Sequence, residues 1–197
     1  MLKIAKERLN ELYAKISETQ GLFIPVKKAG EVDYAVWAED KEVSLETLKT
    51  VKSPKDAFFP QCENLYTVTR EEGKMKITPE TLERENFVIF GIRACDVRAL
   101  AVLDKVFLSD PMDSYYAARR EHGVIVSLAC GRPDVSCFCG TFGIDCAKPE
   151  GDVATWLYGE YLYWQPQTPK GEKLTASLEE LLEEGEETAV EEAKAAI

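Results

Sequence analysis

Histidine and long apolar runs are nearly absent from this chain of 197 residues. His122 is the single histidine, and we expect it in a loop or at a helix end. Because general acid–base catalysis relies most often on histidine, this scarcity disfavours most such schemes. No apolar run approaches the length of a membrane-spanning helix, and the charged N-terminal stretch is unlike a signal peptide. We therefore expect a soluble, cytoplasmic protein.

Positive charge and familiar ligand motifs are also scarce. The chain has 24 Lys and Arg residues against 35 Asp and Glu residues, a net charge of −11. This balance repels phosphate backbones and anionic membranes, so binding to nucleic acid or membranes is disfavoured. Neither a G-x-G-x-x-G fingerprint nor a P-loop is present, which leaves nucleotide binding unsupported. The tandem C-x2-C-x2-C run of ferredoxins and the paired C-x2-C halves of zinc ribbons are missing too.

The apolar residues, 45% of the chain, follow a pattern typical of an α/β fold. Residues 87–92 (FVIFGI) and 124–128 (VIVSL) are apolar runs that suit strands covered on both faces. Asp96 stands where a helix N-cap belongs, before a helical segment, and residues 114–121 predict a second helix. This strand–helix–helix–strand order predicts a parallel pair in a single α/β domain with a mixed sheet and flanking helices, with α+β as the alternative.

Shorter elements fill the rest of the chain. Helical spacing of apolar residues predicts an amphipathic helix at the N-terminus, and we also expect strands at residues 22–26 and 33–37, a hairpin across residues 71–73, a helical turn at 79–84 and an aromatic strand at 156–164. Ser177 and Glu180 match the spacing of a capping box, which predicts a helix there. We divide the chain into a domain of residues 1–172 and an acidic helical tail of residues 173–197.

Six cysteines carry the main chemical signal. A reducing compartment keeps thiols unpaired, so a disulfide framework is not expected. Cys95 follows the first apolar strand at the start of a helix, where the helix dipole favours the thiolate form. Cys130 follows the next apolar strand. Ligands gather at the carboxyl ends of strands in open α/β sheets, so we expect both thiols to face one crevice, in a cysteine-rich loop region.

Cys137 and Cys139 form a C-x-C pair shortly after Cys130. In extended backbone, two residues at this spacing point the same way and lie roughly 6.6 Å apart, which suits two sulfurs on neighbouring irons. Nearby glycines would let the backbone wrap around a cluster. The spacing alone leaves three interpretations open: an iron–sulfur cluster, zinc held by four cysteines, or thiols that bind no metal.

Several segments together resemble a known family. The stretches FGIRACDVRALAVLDKVF, DSYYAARRE, CGRPDVSCFCGTFG and VKSPKDAFFPQCENL, spread over residues 51–143, resemble the iron–sulfur electron-transfer subunits (beta or A) of cytosolic sulfhydrogenases and of anaerobic sulfite reductase. The resemblance implies the N-terminal domain of such a subunit, with one oxygen-sensitive [4Fe-4S] cluster. Carried over to this sequence, the cluster ligands are Cys95, Cys130, Cys137 and Cys139.

The resemblance also implies a role. It predicts a non-catalytic component of an oxidoreductase complex in an anaerobic cytoplasm, which relays electrons between flavin-containing subunits and hydrogenase or sulfite reductase subunits. The alternatives are a structural zinc-binding interaction module that uses the same four cysteines, and a metal-free thiol redox protein. The resemblance implies that relatives continue into a ferredoxin domain with two further clusters, and we expect this chain to lack that domain. Ala94 replaces the family's proline.

Residues around the cysteines complete the prediction. Cys62 and Cys146 lie outside the family pattern, so we interpret them as packed thiols, with Cys146 as the substitute should one ligand assignment fail. Guanidinium groups near an anionic cluster would stabilise it and raise its potential. The arginines that surround the proposed site in sequence are Arg93, Arg98, Arg119, Arg120 and Arg132.

Overall fold

The computed structural model describes residues 1–71 and 73–197, and these form an α/β fold with ten strands and five α-helices. The strands are β1 (Leu2–Ala5), β2 (Gly21–Lys28), β3 (Glu31–Val36), β4 (Tyr66–Glu71), β5 (Lys74–Pro79), β6 (Phe87–Ile92), β7 (Gly123–Leu128), β8 (Val153–Tyr158), β9 (Tyr161–Pro166) and β10 (Glu183–Glu184). The helices are α1 (Leu9–Ser17), α2 (Ala94–Phe107), α3 (Ser114–His122), α4 (Pro169–Ala176) and α5 (Glu187–Ala195).

Eight of these strands form one mixed sheet in the order β10-β1-β9-β8-β7-β6-β2-β3. The four central strands, β2, β6, β7 and β8, run parallel to one another. The outer strands pair antiparallel on either side. The predicted mixed sheet, and the predicted parallel pairing of β6 with β7 through two helices, are confirmed.

Strand β6 shows why the sheet lies at the centre of the molecule. Val88 and Phe90 point into a core shared with α1 and α4, whereas Ile89 points into a second core shared with α2 and α3. Each of these side chains is fully buried, and burying one contributes roughly 1.5–3 kcal/mol. Helices therefore cover both faces, as the continuous apolar run predicts.

A bulge at Gly91 redirects the end of β6. Phe90 pairs with Val126, but Ile92 already pairs with Ser127, so the register shifts by one residue. Gly91 has a φ of 80°, and a Cβ there would lie 3.1 Å from the Leu45 side chain. Glycine meets both requirements, and the bulge aims the following residues at the carboxyl edge of the sheet.

The other predicted strands and hairpins are largely confirmed. Strands β2 and β3 pair as an antiparallel hairpin, and α3 begins after Asp113, whose side chain accepts a hydrogen bond from the Tyr116 N–H. The predicted hairpin across residues 71–73 forms from β4 and β5, separate from the large sheet. Its turn includes Glu72, which lies outside the described residues.

Two predicted helical features are wrong, and a third begins later than predicted. The N-terminal amphipathic helix is present as α1, but it begins only at Leu9, because Leu2–Ala5 forms a strand that pairs with β9. Pro79 is the last residue of β5, paired with Tyr66, and no helical turn follows it at residues 80–84. Asp96 is not an N-cap, since α2 already begins at Ala94.

Two predictions near the C-terminus also need correction. The aromatic segment at residues 156–164 is not one strand but a hairpin, in which Gly159 adopts a φ of 55° at the turn between β8 and β9. Ser177 ends α4 rather than opening a helix; that helix begins after Thr168, whose hydroxyl accepts a bond from the Gly171 N–H. The division at residue 172 stays a prediction, while Leu174 of α4 packs in the main core.

Candidate functional site

The carboxyl ends of β6 and β7 lie side by side, because the two strands are parallel neighbours. Cys95 is the second residue of α2, three positions beyond Ile92 at the end of β6. Cys130 stands two positions beyond Leu128 at the end of β7. The strand topology thus positions both thiols at one edge of the sheet, where ligands of open α/β sheets bind.

The loop after β7 returns to the same edge. The Cys130 N–H donates to the carbonyl of Cys146 at 3.2 Å, which closes the loop on itself. The indole Nε1–H of Trp156, on β8, donates to the carbonyl of Ala147 at 2.7 Å. A 3-10 turn at Cys139–Phe142 lies between these ends. The residues that follow Cys130 are therefore folded back over the ends of the parallel strands.

Five thiols come together in this way, and we call them the thiol group: Cys95, Cys130, Cys137, Cys139 and Cys146. The thiols of Cys139 and Cys130 lie near enough to Cys95 for their charges to raise the pKa of Cys95. Charge on Cys137 and charge on Cys146 each raise the pKa of Cys130 and the pKa of Cys139. The structure thus brings the four predicted ligands near one another and adds Cys146 to them.

The two cysteines outside the family pattern differ in surroundings. Cys62 is exposed, in the loop before β4, so its interpretation as a packed thiol is wrong. Cys146 is half-buried, as are Cys130 and Cys139. All six cysteines are free thiols in this structure.

The protonation of the thiol group differs from the expectation for Cys95. Burial, followed by the charge of the Asp96 carboxylate, raises the pKa of Cys95 to about 11 and outweighs the backbone hydrogen bond at Asp96, which lowers it. Burial also raises the pKa of Cys130 and of Cys139. The expected thiolate at Cys95 is therefore wrong for the metal-free chain. A metal that binds here must displace protons from the thiols.

Arg93 is a buried cation beside the thiol group, and only 7% of it is exposed. Its guanidinium donates to the carbonyls of Ala129 at 2.9 Å and Thr47 at 3.2 Å, and also to Leu45. In the described part of the chain it forms no salt bridge, so its charge lacks a carboxylate partner. That charge acts on Cys130 and lowers its pKa against the effect of burial. An anionic group on the thiols would supply the missing countercharge.

Asp96 ties a distant segment to the start of α2. Its carboxylate accepts a hydrogen bond from the Ser53 hydroxyl at 3.0 Å and pairs with Lys55. Both partners belong to the 3-10 segment at Pro54–Ala57 and the residue before it. The sequence around Asp96 does not predict this contact. The only available signal was the Ser-Pro-Lys stretch, which belongs to the family resemblance and contains both partners of Asp96.

Two predicted neighbours of the site lie elsewhere. Arg119 pairs with Glu63, and Arg120 binds both carboxylate oxygens of Asp104 at 2.8 and 2.9 Å. These are ion pairs that the chain satisfies itself, and Arg120 lies near the amino end of β7 rather than its carboxyl end. His122 is the last residue of α3, as predicted, and its ring bonds to the Asn86 amide.

The thiol group has the donor chemistry of an iron–sulfur site. As the side chains stand in residues 1–71 and 73–197, no three or more Cys, His, Asp or Glu side chains are arranged to hold a single metal ion. In an iron–sulfur cluster each thiolate binds its own iron, so the ligand sulfurs are spread more widely than those around one ion. Soft thiolates next to an uncompensated cation fit such an anionic cluster.

Comparison with known proteins finds similarity to a subunit of a sulfhydrogenase. The chain is a homologue of sulfhydrogenase 2 subunit beta from Pyrococcus furiosus, with 30% identity over 152 residues. The match covers 77% of this chain and 44% of the relative, so the matched residues span less than half of the relative's length. No family model and no solved structure matches. The resemblance to sulfhydrogenase subunits predicted from the motifs is confirmed.

The helices also bear on membrane contact. In the part of the chain that the structure describes, no helix combines the length and the apolar character needed to cross a bilayer.

Proposed function

We propose that this chain is a cytoplasmic electron-transfer subunit that holds one [4Fe-4S] cluster on Cys95, Cys130, Cys137 and Cys139. It relays electrons between a flavin-containing subunit and a hydrogenase or sulfite reductase subunit, and itself carries out no chemistry on a substrate. The sulfhydrogenase relative favours a hydrogenase-type partner.

The convergence of the thiol group at the carboxyl edge carries this proposal. The ligands come from the end of β6, the end of β7 and the loop that follows, so distant parts of the sequence meet at one place. Arg93 supports the same conclusion, because a buried cation without a carboxylate partner is costly unless an anionic group lies nearby.

The chain's own residues have distinct roles in such a site. A bound cluster supplies a centre that accepts and releases one electron at a time. The thiolates hold it, and the Arg93 charge stabilises the thiolate form and favours the more negative, reduced state. The residues Cys95 and Cys137 are exposed, although the packing around the Cys95 sulfur is dense enough to raise its pKa, and this leaves the site open on one side. A partner subunit can therefore approach the site directly.

Metal analysis of the chain purified without oxygen tests the proposal. We expect a brown preparation with about four irons per chain. A colourless protein with one zinc would establish the structural zinc module instead, and a colourless protein without metal would establish the thiol redox protein.

The variant Cys62→Ser is the matched control, because this thiol is exposed and lies outside the thiol group. It should keep the iron content and the visible spectrum. Loss of iron in this variant would show that the ligand set is misassigned.

A further inference from the structure

Cys146 brings a thiol into the site that the four-ligand set leaves unused. Resting on the proposed function, we propose that Cys146 and Cys137 are alternative ligands for one cluster position, with Cys95, Cys130 and Cys139 common to both arrangements. The cluster would then exist with either of two ligand sets.

Cys146 is held against the sheet by contacts on both sides. Its carbonyl accepts the Cys130 N–H at 3.2 Å, so the backbones of the two cysteines are adjacent. The next carbonyl, of Ala147, accepts the Trp156 indole N–H at 2.7 Å, and the Ala147 N–H donates to Asp145 at 3.0 Å. Trp156 is 2% exposed and belongs to β8, so this anchor belongs to the rigid sheet. Cys146 is therefore pre-positioned next to Cys130.

Among the residues that the structure describes, the hydrogen bonds of Cys137 stay within its own turn. Its N–H donates to the Asp134 carbonyl at 2.9 Å, and its sulfur accepts the Asp134 N–H at 3.2 Å. Asp134 in turn pairs with Lys49 at 2.7 Å on the surface. Exposed ion pairs of this kind contribute little to stability. Cys137 thus lies in an outer turn that can change position at low cost, while Cys146 lies in an inner, anchored one.

Both thiols also lie near Cys139. The Cys139 carbonyl accepts the Ile144 N–H at 3.0 Å, which brings the chain just before Cys146 against Cys139, while Cys137 is only two residues before Cys139. The two residues thus approach the common ligands from opposite ends of the 3-10 turn at Cys139–Phe142. A cluster with four ligand positions can accept one of them at a time.

The exchange conserves charge and oxidation state. The iron–sulfur bond to Cys137 breaks and the bond to Cys146 forms, while the Cys146 thiol gives up a proton and the released Cys137 thiolate takes one up. No electron is gained or lost, so no oxidant or reductant is required.

Alanine variants of the full chain, reconstituted without oxygen with iron and sulfide, test the exchange. Alanine is chosen because a serine oxygen can itself bind iron. We expect Cys137→Ala and Cys146→Ala each to retain most of the iron, because the other thiol fills the position. The paramagnetic resonance spectrum of the reduced protein should differ between the two variants. The double variant should lose nearly all iron.

Other outcomes overturn the proposal. If Cys146→Ala matches the unchanged protein in iron and spectrum while Cys137→Ala loses its iron, Cys146 is no ligand. The reverse result makes Cys146 a permanent ligand, and iron retained by the double variant excludes both residues. The failure of the unchanged protein to load iron would instead refute the proposed function, which separates the two failures.

A control experiment checks that each variant folds in the absence of metal. Circular dichroism and thermal unfolding of each metal-free variant should match those of the unchanged chain, and Cys62→Ala should match it in iron as well. If Cys146→Ala fails to fold, Cys146→Val, which better fills the half-buried site, takes its place with the same expected results.

Discussion

The two edges of the parallel sheet differ in how their polar groups are satisfied. At the amino edge, Arg120 binds Asp104, and Thr168 hydrogen-bonds to Asp152 at 2.5 Å. At the carboxyl edge, Arg93 has only carbonyl partners among the residues that the structure describes, and several thiols lie together. The guanidinium at the amino edge thus has a carboxylate partner, whereas the one at the carboxyl edge lies without such a partner beside soft donors. The first arrangement stabilises the fold, and the second leaves room for a ligand.

The largest expected effect comes from removing a ligand at the carboxyl edge. Cys130→Ala should abolish iron binding, because Cys130 follows the end of β7 and lies near Arg93 and the other thiols. The free energy of unfolding of the metal-free protein should change little, since alanine removes only the sulfur atom of a half-buried side chain. Iron content and chemical denaturation measure the two quantities. Full iron loading of this variant would remove Cys130 from the ligand set.

At the amino edge, the largest effect should fall on stability alone. In Gly171→Ala, the new Cβ would lie 1.9 Å from the Asp152 carbonyl oxygen, so backbone must move. We expect a loss of about 3 kcal/mol in the free energy of unfolding, measured by urea denaturation. The matched control is Gly131→Ala at the carboxyl edge, where a Cβ meets no atom within 4 Å. If the two variants have equal free energies of unfolding, the backbone is not packed more tightly at Gly171 than at Gly131.

Arg93→Gln tests the uncompensated cation. The variant keeps hydrogen-bond donors but loses the charge next to Cys130, so the affinity for the cluster should fall by about 10–100-fold. Iron retention against a competing chelator measures this change. Arg93→Lys, which keeps the charge, should recover much of the affinity. If Gln and Lys variants lose iron equally, the side chain acts through its shape and not its charge.

Asp104→Asn should have the smallest effect and a distinct pH dependence. Burial raises the pKa of Asp104, but hydrogen bonds from Arg120 and Tyr116 outweigh it and hold the pKa below its ordinary value. The carboxylate therefore adds stability above the ordinary pKa of 3.8, and this is lost as pH falls through the lower, folded value. We expect Asp104→Asn to cost about 2 kcal/mol at neutral pH.

Unfolding curves of Asp104→Asn at several pH values show whether the stability contributed by Asp104 falls toward acid pH, as expected. The difference from the unchanged protein should shrink below the ordinary carboxyl pKa. Glu11→Gln, which removes an exposed partner of Arg8, should leave stability nearly unchanged at every pH. A difference for Asp104→Asn that grows toward acid pH would contradict the assignment.

The sequence was sufficient for the centre of the fold and for part of the site. Continuous apolar runs identified β6 and β7, and their parallel order placed Cys95 and Cys130 at one edge. Local patterns did not reveal contacts between distant segments. The bonds from Arg93 to Leu45 and Thr47, and the return of Cys146 to Cys130, depend on how separate loops pack after the sheet has formed.

The N-terminus also shows that local sequence patterns miss contacts between distant segments. Residues 2–5 continue the apolar spacing of the helix that follows, yet they form β1 because β9 offers a free edge for pairing. Tertiary pairing overrode the local period there. Likewise, the dipole argument at Cys95 identified the helix terminus correctly but omitted the burial that governs its pKa.

Electron paramagnetic resonance of the chemically reduced chain, combined with analysis of iron and acid-labile sulfide, tests the central claim most directly. Protein prepared without oxygen should contain about four irons and four sulfides per chain, and reduction should produce a signal of one unpaired electron per chain. A preparation that contains one zinc, or no metal, and gives no signal on reduction would contradict the claim that the carboxyl edge of this sheet holds an electron-transfer cluster.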